Sequence, residues 1–398
     1  MRKSTASAPH LMVVYGTRPE AIKLAPVIRA LRADRRFETT VAVTGQHGEI
    51  LDRMNAFFGV PVDVDLGMLR PGQTFAELSS RMFAALLALF EERRPDAVLM
   101  HGDTSSSALA ALAAYYQGVP VIHLEAGLRS HDLSSPFPEE GNRRIAGQLA
   151  ALHLAPTATA RDNLLAENVP DAAIAVTGNT VIDALFETVD RSAGRLTPAV
   201  RRAVAAGRRI VLVTAHRRES WGRGLRNTAL ALADVLDAHD DVTVALPMHP
   251  NPTVRDALLP VLGNRADTLL IEPQDYPEFC ALLNAAHVVV TDSGGVQEEA
   301  PALGKPVLVT RDTTERPEAI EAGAAILVGT ARESIRSHLD RLLDDRVAYA
   351  GMAGAISPYG DGHATGRVIA AIAAHFGVGS RVRDFHPLLQ AADFGAVA

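Results

Sequence analysis

Short runs of β-branched and aliphatic residues alternate with longer amphipathic stretches, and this alternation is the feature that most restricts the fold. The first half of the chain predicts strands at 11–15, 39–44, 96–101, 120–124 and 150–155. Stretches with helical spacing, among them PEAIKLAPVIRAL and SALAALAAYYQG, lie between these runs. Because strands joined through helices pair in parallel, the pattern predicts βαβ units around a parallel sheet.

The same alternation restarts in the second half of the chain. It predicts strands at 208–215, 241–247, 268–272, 287–292, 305–310 and 324–329. Residues 180–207 carry few strand signals and include Gly194 and Pro198, so the domain junction is predicted there. We therefore expect an α/β protein of two Rossmann-like, doubly wound parallel-sheet domains that face a cleft.

The 398 residues suit two domains of ordinary size. The first is expected to take residues 1–180 together with a last helix at about 363–377, and the second to take residues 181–362. The tail, 378–398, has no assigned role. Ligands of open α/β sheets bind at the carboxyl ends of strands, so the polar residues that follow each predicted strand are the candidate functional residues.

Composition excludes several classes of protein. The single cysteine, Cys280, rules out an internal disulfide framework and any metal site built from several cysteines. No apolar run approaches the ~18 residues of a membrane helix, and the apolar stretch 11–15 is shorter than a signal-peptide core of about 7–15 residues. The net charge of −7 gives no general attraction to nucleic acid. We expect a cytoplasmic protein that binds neither nucleic acid nor membranes.

Polar residues follow the first and third predicted strands. The strand at 11–15 leads into Gly16 and then a helix, whose free N–H groups could hold an anion together with Arg18 and Lys23. An ordinary strand-to-helix turn is the alternative. Asp103 follows the third strand, and the alternative there is that Asp103, or the next residue, simply caps a helix.

Two carboxylate motifs come next along the chain. Glu125 ends the fourth strand, where a buried carboxylate needs either a partner or a task; an ion pair with Arg129 is the alternative. In SPFPEEGNRR, Glu139 and Arg143 are four residues apart on one helix face. A plain pair between these two residues at a helix start is the alternative to a function.

The second half carries the strongest local signal, HVVVTDSGGVQEEAPALGKPVLV. Gly294 and Gly295 let backbone N–H groups converge on an anion at a helix start, and a carboxylate farther along could reach ribose hydroxyls. The motif is neither a dinucleotide fingerprint nor a P-loop. Earlier, the sequence His216-Arg217-Arg218 also indicates anion binding, with a solvated basic loop as the alternative.

Taken together, these segments resemble the non-hydrolysing UDP-N-acetylglucosamine 2-epimerases. The matching pieces are, in order, GTRPEAIKLAP, TGQH, HGDT, HLEAGLR, PFPEEGNRR, VTGNTVIDAL, HRRESWG, DSGGVQEEAPALGKPVL and RDTTERPEA, and they cover roughly 11–376. The resemblance implies the glycosyltransferase-B arrangement with a UDP-sugar in the cleft, UDP-binding by the second domain, no cofactor or metal, and a homodimer. It implies interconversion of UDP-GlcNAc and UDP-ManNAc for polysaccharide biosynthesis.

The resemblance also assigns residues. The catalytic group carried over is Asp103, Glu125, Glu139, Arg143 and His216. Arg18 and Lys23 are expected near the substrate. The uridine, ribose and diphosphate are expected on Gln274, Phe279, Ser293, Gly294, Gly295, Glu299 and Arg316. The candidates for an allosteric UDP-GlcNAc pocket are Gln46, Arg70, Arg217 and His249.

The chemistry explains why these residue types are needed. The hydrogen on C2 is not acidic, so the family route eliminates UDP to give 2-acetamidoglucal and then adds UDP back. Inversion requires proton removal on one face and delivery on the other, and a raised pKa would leave one of the three carboxylates protonated at the start. A hydrolysing epimerase, a related UDP-sugar 2-epimerase, a glycosyltransferase and a non-catalytic sensor are the alternatives.

Overall fold

The computed structural model describes residues 8–45, 48–70 and 72–387. The chain forms two compact units, one of Met1–Ala184 with Tyr359–Ala398 and one of Leu185–Pro358. The chain therefore passes from one unit to the other after residue 184 and returns after residue 358, whereas the sequence pattern placed these crossings after 180 and 362.

The first unit is built on a seven-stranded sheet with the order β3-β2-β1-β4-β5-β6-β7. Its strands are β1 His10–Tyr15, β2 Glu38–Val43, β3 Val64–Asp65, β4 Ala97–His101, β5 Val121–Leu124, β6 Ala150–Ala155 and β7 Ile174–Val176. Its helices are α1 Arg18–Ala33, α2 Gly48–Phe58, α3 Phe75–Arg93, α4 Ser105–Tyr116, α5 Glu139–Leu149 and α6 Ala158–Ala166, with α7 Thr180–Arg191 at the crossing and α16 Ala364–His375 after the return.

All neighbouring strands of this sheet pair in parallel. The central strands β1 and β4 are almost entirely buried, as expected of strands covered by helices on both faces, and this explains their unbroken apolar sequences. The five predicted strands are confirmed. The sequence pattern missed β3 and β7, which are edge strands of only two and three residues.

The second unit has a six-stranded sheet with the order β10-β9-β8-β11-β12-β13, again parallel throughout. Its strands are β8 Arg209–Thr214, β9 Val242–Pro247, β10 Thr268–Ile271, β11 Val288–Thr291, β12 Val307–Val309 and β13 Ala325–Leu327. Its helices are α8 Pro198–Ala205, α9 Arg223–Ala238, α10 Pro252–Leu262, α11 Tyr276–Ala285, α12 Gly294–Ala302, α13 Pro317–Glu321, α14 Arg332–Asp344 and α15 Arg346–Ala353.

Each sheet has its own apolar core. In the second unit, Val211, Val213 and Val290 on the central strands pack among aliphatic residues of α9, α10 and α14. All six strands predicted for this half are present, and the class of two Rossmann-like parallel-sheet units is confirmed. Within the described ranges, no helix is both long and apolar enough to cross a membrane.

Candidate active site

Glu20 connects the turns that follow β1 and β4 in the first unit. Only 1% of this residue is exposed. Its Oε2 atom accepts hydrogen bonds from the backbone N–H groups of Gly16 (3.0 Å) and Thr17 (2.8 Å). Its Oε1 atom accepts the hydroxyl protons of Thr104 (2.7 Å) and Ser107 (2.8 Å). This carboxylate was not among the predicted site residues, although its position three residues after Thr17 is that of a capping box.

Asp103 is available for a function because its neighbour caps the helix. The hydroxyl of Thr104 accepts the N–H of Ser107 at the start of α4, so Thr104 is the N-cap. The Asp103 carboxylate instead lies 2.5 Å from the guanidinium of Arg143. The side-chain amide of Asn142 donates to the Asp103 carbonyl at 2.9 Å. The structure thus brings together two of the predicted catalytic residues, from the ends of β4 and the start of α5.

Glu125 follows β5 and is held by a set of donors. Its backbone is left-handed (φ 61°), a conformation that residues other than glycine adopt rarely. Its Oε2 atom accepts the side-chain amide of Asn179 at 2.8 Å and is paired with the ammonium of Lys23. Nε2 of His101 lies 3.6 Å from the same oxygen. Lys23, predicted to lie near the substrate, therefore directly contacts a predicted catalytic carboxylate.

The alternative proposed for Glu125, an ion pair with Arg129, is wrong. The guanidinium of Arg129 instead makes two hydrogen bonds of 2.7 Å to the carboxylate of Glu167. The side chain of Glu125 is only 8% exposed, and its nearby positive charge comes from a helix more than a hundred residues earlier in the chain.

The environment of Glu125 fixes its protonation state. Burial by itself would raise the pKa of this carboxyl, but the charge of Lys23 and the proximity of His101 hold the pKa well below its ordinary value. Glu125 is therefore ionised at neutral pH. The expectation that a raised pKa keeps one carboxylate protonated does not apply to Glu125.

Of the two adjacent glutamates that open α5, only Glu140 is completely buried. Four groups donate to its carboxylate: the N–H of Ser130 (3.0 Å), the N–H of His131 (3.3 Å), and the guanidiniums of Arg143 (3.3 Å) and Arg144 (3.4 Å). These donors, despite burial, lower the pKa of Glu140. Its role is to hold the loop before α5 and the Arg143 side chain in place.

Glu139 is partly exposed, and its side chain makes no hydrogen bond or ion pair with the residues that the structure describes. The alternative of a plain pair between Glu139 and Arg143 is therefore wrong, since Arg143 contacts Asp103 and Glu140 instead. Glu140, which the sequence did not single out, pairs with Arg143 and Arg144 at spacings of three and four residues.

His123 and His153 lie side by side on β5 and β6 beneath this edge. Both are 1% exposed. Nε2 of His123 is 2.8 Å from the carbonyl oxygen of Gly102. Burial, reinforced for His123 by the charge that His153 would carry, lowers the pKa of His123 to about 3, and burial lowers the pKa of His153 to about 4. Both rings are neutral in the folded protein at neutral pH.

This burial predicts a loss of stability in weak acid. The unfolded chain binds protons at these histidines below about pH 6.5, whereas the folded chain does not until about pH 3 and 4. Stability is thus fully present above pH 6.5, and each ring should remove about 1.4 kcal/mol per pH unit below it. Urea unfolding of the wild type and of His153→Leu at several pH values measures this. An equal pH slope in both proteins would contradict the prediction.

Asp292 organises the edge of the second sheet. It is fully buried, and its Oδ2 atom accepts the backbone N–H groups of His216 and Arg217, both at 2.8 Å. Nδ1 of His216 lies 3.0 Å from the other oxygen, Oδ1. The ring of His216 stacks on that of His249 with a centroid separation of 6.1 Å. The loops after β8, β9 and β11 therefore meet around one buried carboxylate.

The start of α12 is surrounded by arginines. A Cβ atom on Gly294 would lie 3.6 Å from Cζ of Arg316 and 3.7 Å from an Nη atom of Arg217. Arg316 is also paired with Glu298 at 2.6 Å. Nε of Arg217 is buried without a hydrogen-bond partner among the described residues. Two guanidiniums beside a helix N-terminus form an arrangement that favours a phosphate group.

The other predicted ligand-binding residues of this unit occupy α11, α12 and the loop before α11. The carboxylate of Glu299 accepts the hydroxyl of buried Tyr276 at 2.7 Å. The backbone N–H of Ser293 donates to Thr291 at 2.9 Å, and Gly295 has open space where a Cβ would lie. The remaining two are Gln274, whose amide donates to the Glu272 carbonyl, and the partly exposed Phe279.

Four residues were candidates for a separate allosteric pocket. Gln46 lies outside the described residues, and Arg70 is exposed in the segment after β3. An Nη atom of Arg217 lies beside Gly294, and the ring of His249 stacks on that of His216. Arg18, predicted near the substrate, is the exposed first residue of α1. In the part of the chain that the structure describes, no group of three or more His, Cys, Asp or Glu side chains could hold a metal ion.

Two parallel α/β units, one with buried carboxylates at its strand ends and one with arginines at a helix start, define the class of α/β enzymes that act on an anionic ligand. A family model described as UDP-N-acetylglucosamine 2-epimerase matches residues 29–373. The chain belongs to the UDP-N-acetylglucosamine 2-epimerase family.

Individual proteins support the same conclusion. The UDP-N-acetylglucosamine 2-epimerase of Escherichia coli K12 is 48% identical over 369 residues, which are 91% of this chain and 98% of that protein. A Staphylococcus aureus protein solved with UDP is 39% identical, with a TM-score of 0.87 and coverage of 95% and 100%. The UDP-GlcNAc 2-epimerase of Neisseria meningitidis, solved with UDP-GlcNAc, is 40% identical, with a TM-score of 0.83 and coverage of 92% and 100%.

Proposed function

We propose that this protein interconverts UDP-GlcNAc and UDP-ManNAc by reversible epimerisation at C2, without releasing the free sugar. Family membership supports the epimerase activity. The observation that carries the proposal is the clamp on Glu125, a buried carboxylate kept ionised by Lys23 and held by Asn179. A proton-accepting group in a fixed position is what a reaction at a weakly acidic carbon requires.

The proposed route is elimination followed by re-addition. The C2–H bond breaks, its electron pair forms the C1–C2 double bond, and the C1–O bond breaks with its electrons going to UDP. The resulting 2-acetamidoglucal takes UDP back at C1 and a proton at C2 on the opposite face. In this reaction the protein must supply two proton-transfer groups and must stabilise the charge of departing UDP.

The side chains of the first unit have properties suited to the proton transfers. We assign proton acceptance at C2 to Glu125 in one direction, because Asn179 and Lys23 hold its carboxylate in a fixed position. Asp103 and Glu139 are the candidates for the group on the opposite face. Arg143, which contacts Asp103, supplies positive charge for the developing diphosphate.

We assign the diphosphate to the start of α12, together with Arg217, Arg316 and His216. The support is the spacing of the two guanidiniums around Gly294 and the unsatisfied Nε of Arg217. Glu299 is assigned to the ribose, with Gln274 and Phe279 near the uracil ring.

The diphosphate assignment predicts the effect of Gly294→Ala. The added methyl group has room in the protein, at ordinary contact distances, but it occupies the space between the two guanidiniums. Because alanine favours a helix over glycine, folding should not suffer, while UDP binding measured by calorimetry should weaken about tenfold or more.

The matched control is Gly351→Ala in α15, where nothing lies within 4 Å of the new Cβ. It should bind UDP as the wild type does and unfold at a slightly higher temperature. Unchanged UDP affinity in Gly294→Ala would place the diphosphate elsewhere.

The test of the proposed function is incubation with UDP-GlcNAc in D₂O, followed by proton NMR. The expected result is a UDP-ManNAc signal, with deuterium entering C2 of both epimers and no added cofactor. Free ManNAc accumulating with UDP would show a hydrolysing enzyme instead. Transfer to an acceptor without epimerisation would show a transferase, and binding without C2 exchange would show a sensor.

The homodimer and the second UDP-GlcNAc pocket are further proposals drawn from the family resemblance. Light scattering after gel filtration should give twice the mass of one chain. UDP-ManNAc turnover that requires added UDP-GlcNAc would support the second pocket.

A further inference from the structure

The two oxygens of the buried Asp292 carboxylate have different surroundings. Oδ2 already accepts two hydrogen bonds, from the N–H groups of His216 and Arg217. Oδ1 is buried and accepts no well-aligned hydrogen bond from the described residues, and Nδ1 of His216 lies 3.0 Å from it. A carboxylate oxygen that lacks a donor in a buried position is costly.

The position of Oδ1 beside Nδ1 determines which nitrogen of the His216 imidazole carries the proton. If Nδ1 were unprotonated, its lone pair would face the lone pairs of a fully buried, charged oxygen. A proton on Nδ1 removes this repulsion and provides a donor that a small rotation of the ring can direct at Oδ1. The neighbouring Nδ1 group of His216 and the two backbone N–H donors also hold the pKa of Asp292 below its ordinary value, despite burial, so the carboxylate stays ionised.

Two further contacts involve His216. Its ring stacks at 23° on that of His249, and its backbone carbonyl accepts the indole N–H of Trp221 at 3.3 Å. The side chain is nevertheless 40% exposed, and Nε2 makes no hydrogen bond with any described residue. The buried nitrogen is therefore engaged by the protein, and the exposed nitrogen is available to a ligand.

We propose that Asp292 is a positioning residue that fixes the Nδ1–H tautomer of His216, leaving Nε2 as the nitrogen that exchanges a proton with the substrate. A carboxylate that orients a histidine in this way is a known device of general acid–base catalysis. Neutral His216 can then accept a proton at Nε2, and its protonated form can return it.

The use of this proton rests on the proposed function. In the elimination, Glu125 takes the proton from C2, and the electron pair of the C1–O bond goes to the diphosphate oxygen. His216 in its protonated form gives its Nε2 proton to that oxygen and becomes neutral. In the re-addition the same nitrogen takes this proton back, and the opposite-face group, Asp103 or Glu139, gives a proton to C2. Glu125 keeps the proton that it took from C2, and exchange with water returns both carboxyl groups to their starting states.

Asp292→Asn tests the tautomer directly. The two backbone N–H groups need an oxygen acceptor, so the amide oxygen should occupy the Oδ2 position and the NH₂ group should face Nδ1 of His216. Nδ1 then becomes the acceptor and the proton moves to Nε2. Long-range ¹H–¹⁵N spectra of histidine-labelled protein, with the His216 signal assigned by its loss in His216→Gln, distinguish the two tautomers.

In kinetics, Asp292→Asn should lower kcat by about 10²–10⁴-fold while KM changes only a few-fold. His216→Gln should lower kcat similarly, and the double variant should be no slower than His216→Gln alone, because both changes remove one function. Thr214→Val is the control for a disturbed loop. It removes a hydroxyl that lies 2.5 Å from Thr291 without touching Nδ1, and it should keep the Nδ1–H tautomer.

Three results would overturn the proposal: an Nε2–H tautomer in the wild type, an unchanged tautomer in Asp292→Asn, or additive losses in the double variant. The wild-type spectrum decides the matter even if Asp292→Asn fails to fold. If the wild type shows Nδ1–H but does not epimerise UDP-GlcNAc, the proposed function fails while the tautomer assignment stands.

Discussion

Glu125→Gln is expected to lower kcat for C2 epimerisation by about 10³-fold, the middle of the range for loss of a general base. The amide has nearly the same size as the carboxylate and can still accept a hydrogen bond from Asn179 or Lys23. It cannot take a proton from C2. The variant should therefore bind UDP normally, and deuterium incorporation at C2 should slow together with product formation.

The matched control is Glu167→Gln in the same unit. It removes the charge from another paired carboxylate, that of Glu167 with the guanidinium of Arg129, but touches none of the proposed catalytic residues. Its kcat should stay within a few-fold of the wild type. A Glu125→Gln enzyme that epimerises at the wild-type rate would remove Glu125 from the mechanism. Melting temperatures of both variants separate a catalytic loss from unfolding.

The fold could be predicted well from the sequence because the central strands are buried on both faces. Such strands are continuous apolar runs, as in the segment Leu11–Tyr15, and a run of this kind is readily recognised. The edge strands β3 and β7 consist of two and three residues, too few to show a period. The two strands that the sequence pattern missed are therefore the shortest ones of this sheet, because the sequence signal of a strand depends on its length.

The candidate site was predictable in position but not in its pairings. Parallel sheets bring strand ends to one edge, which is why Asp103 and Glu125 could be identified from their places after strands. The partners of Glu125 are Lys23 and Asn179, which are 102 and 54 residues away along the chain. Local spacing suggested Arg129 instead. Residues four apart come together on a helix, and Glu125 is not in a helix, so the expected pair does not form.

The choice between Glu139 and Glu140 was also beyond the sequence. Successive residues on a helix point about 100° apart, so one of the two must turn inward, and the orientation of α5 decides which. Both are acidic residues at a helix start, where either would be favourable. The structure gives the buried structural position to Glu140 and leaves Glu139, the residue indicated by the family resemblance, partly exposed.

These adjacent glutamates should therefore respond differently to the same substitution. Glu140→Gln removes the negative charge that accepts four hydrogen bonds, and Arg143 and Arg144 lose their charged partner. The free energy of unfolding should therefore fall by about 3–5 kcal/mol. Glu139→Gln should change stability by less than about 0.5 kcal/mol but lower kcat if Glu139 transfers a proton. Chemical unfolding and kcat, measured on both variants, make the comparison.

The pH dependence gives this last comparison a second, independent readout. The pKa of Glu140 is lowered in the folded protein, because its hydrogen bonds and the charges of Arg143 and Arg144 outweigh burial. Its stabilisation is thus present above the ordinary glutamate pKa of about 4.3 and is lost as the pH falls below it. The stability difference between wild type and Glu140→Gln should accordingly shrink in acid. A stability difference that is constant with pH would mean that packing, rather than the carboxylate charge, holds the start of α5. A large loss of stability in Glu139→Gln would reverse the assignment of the two residues.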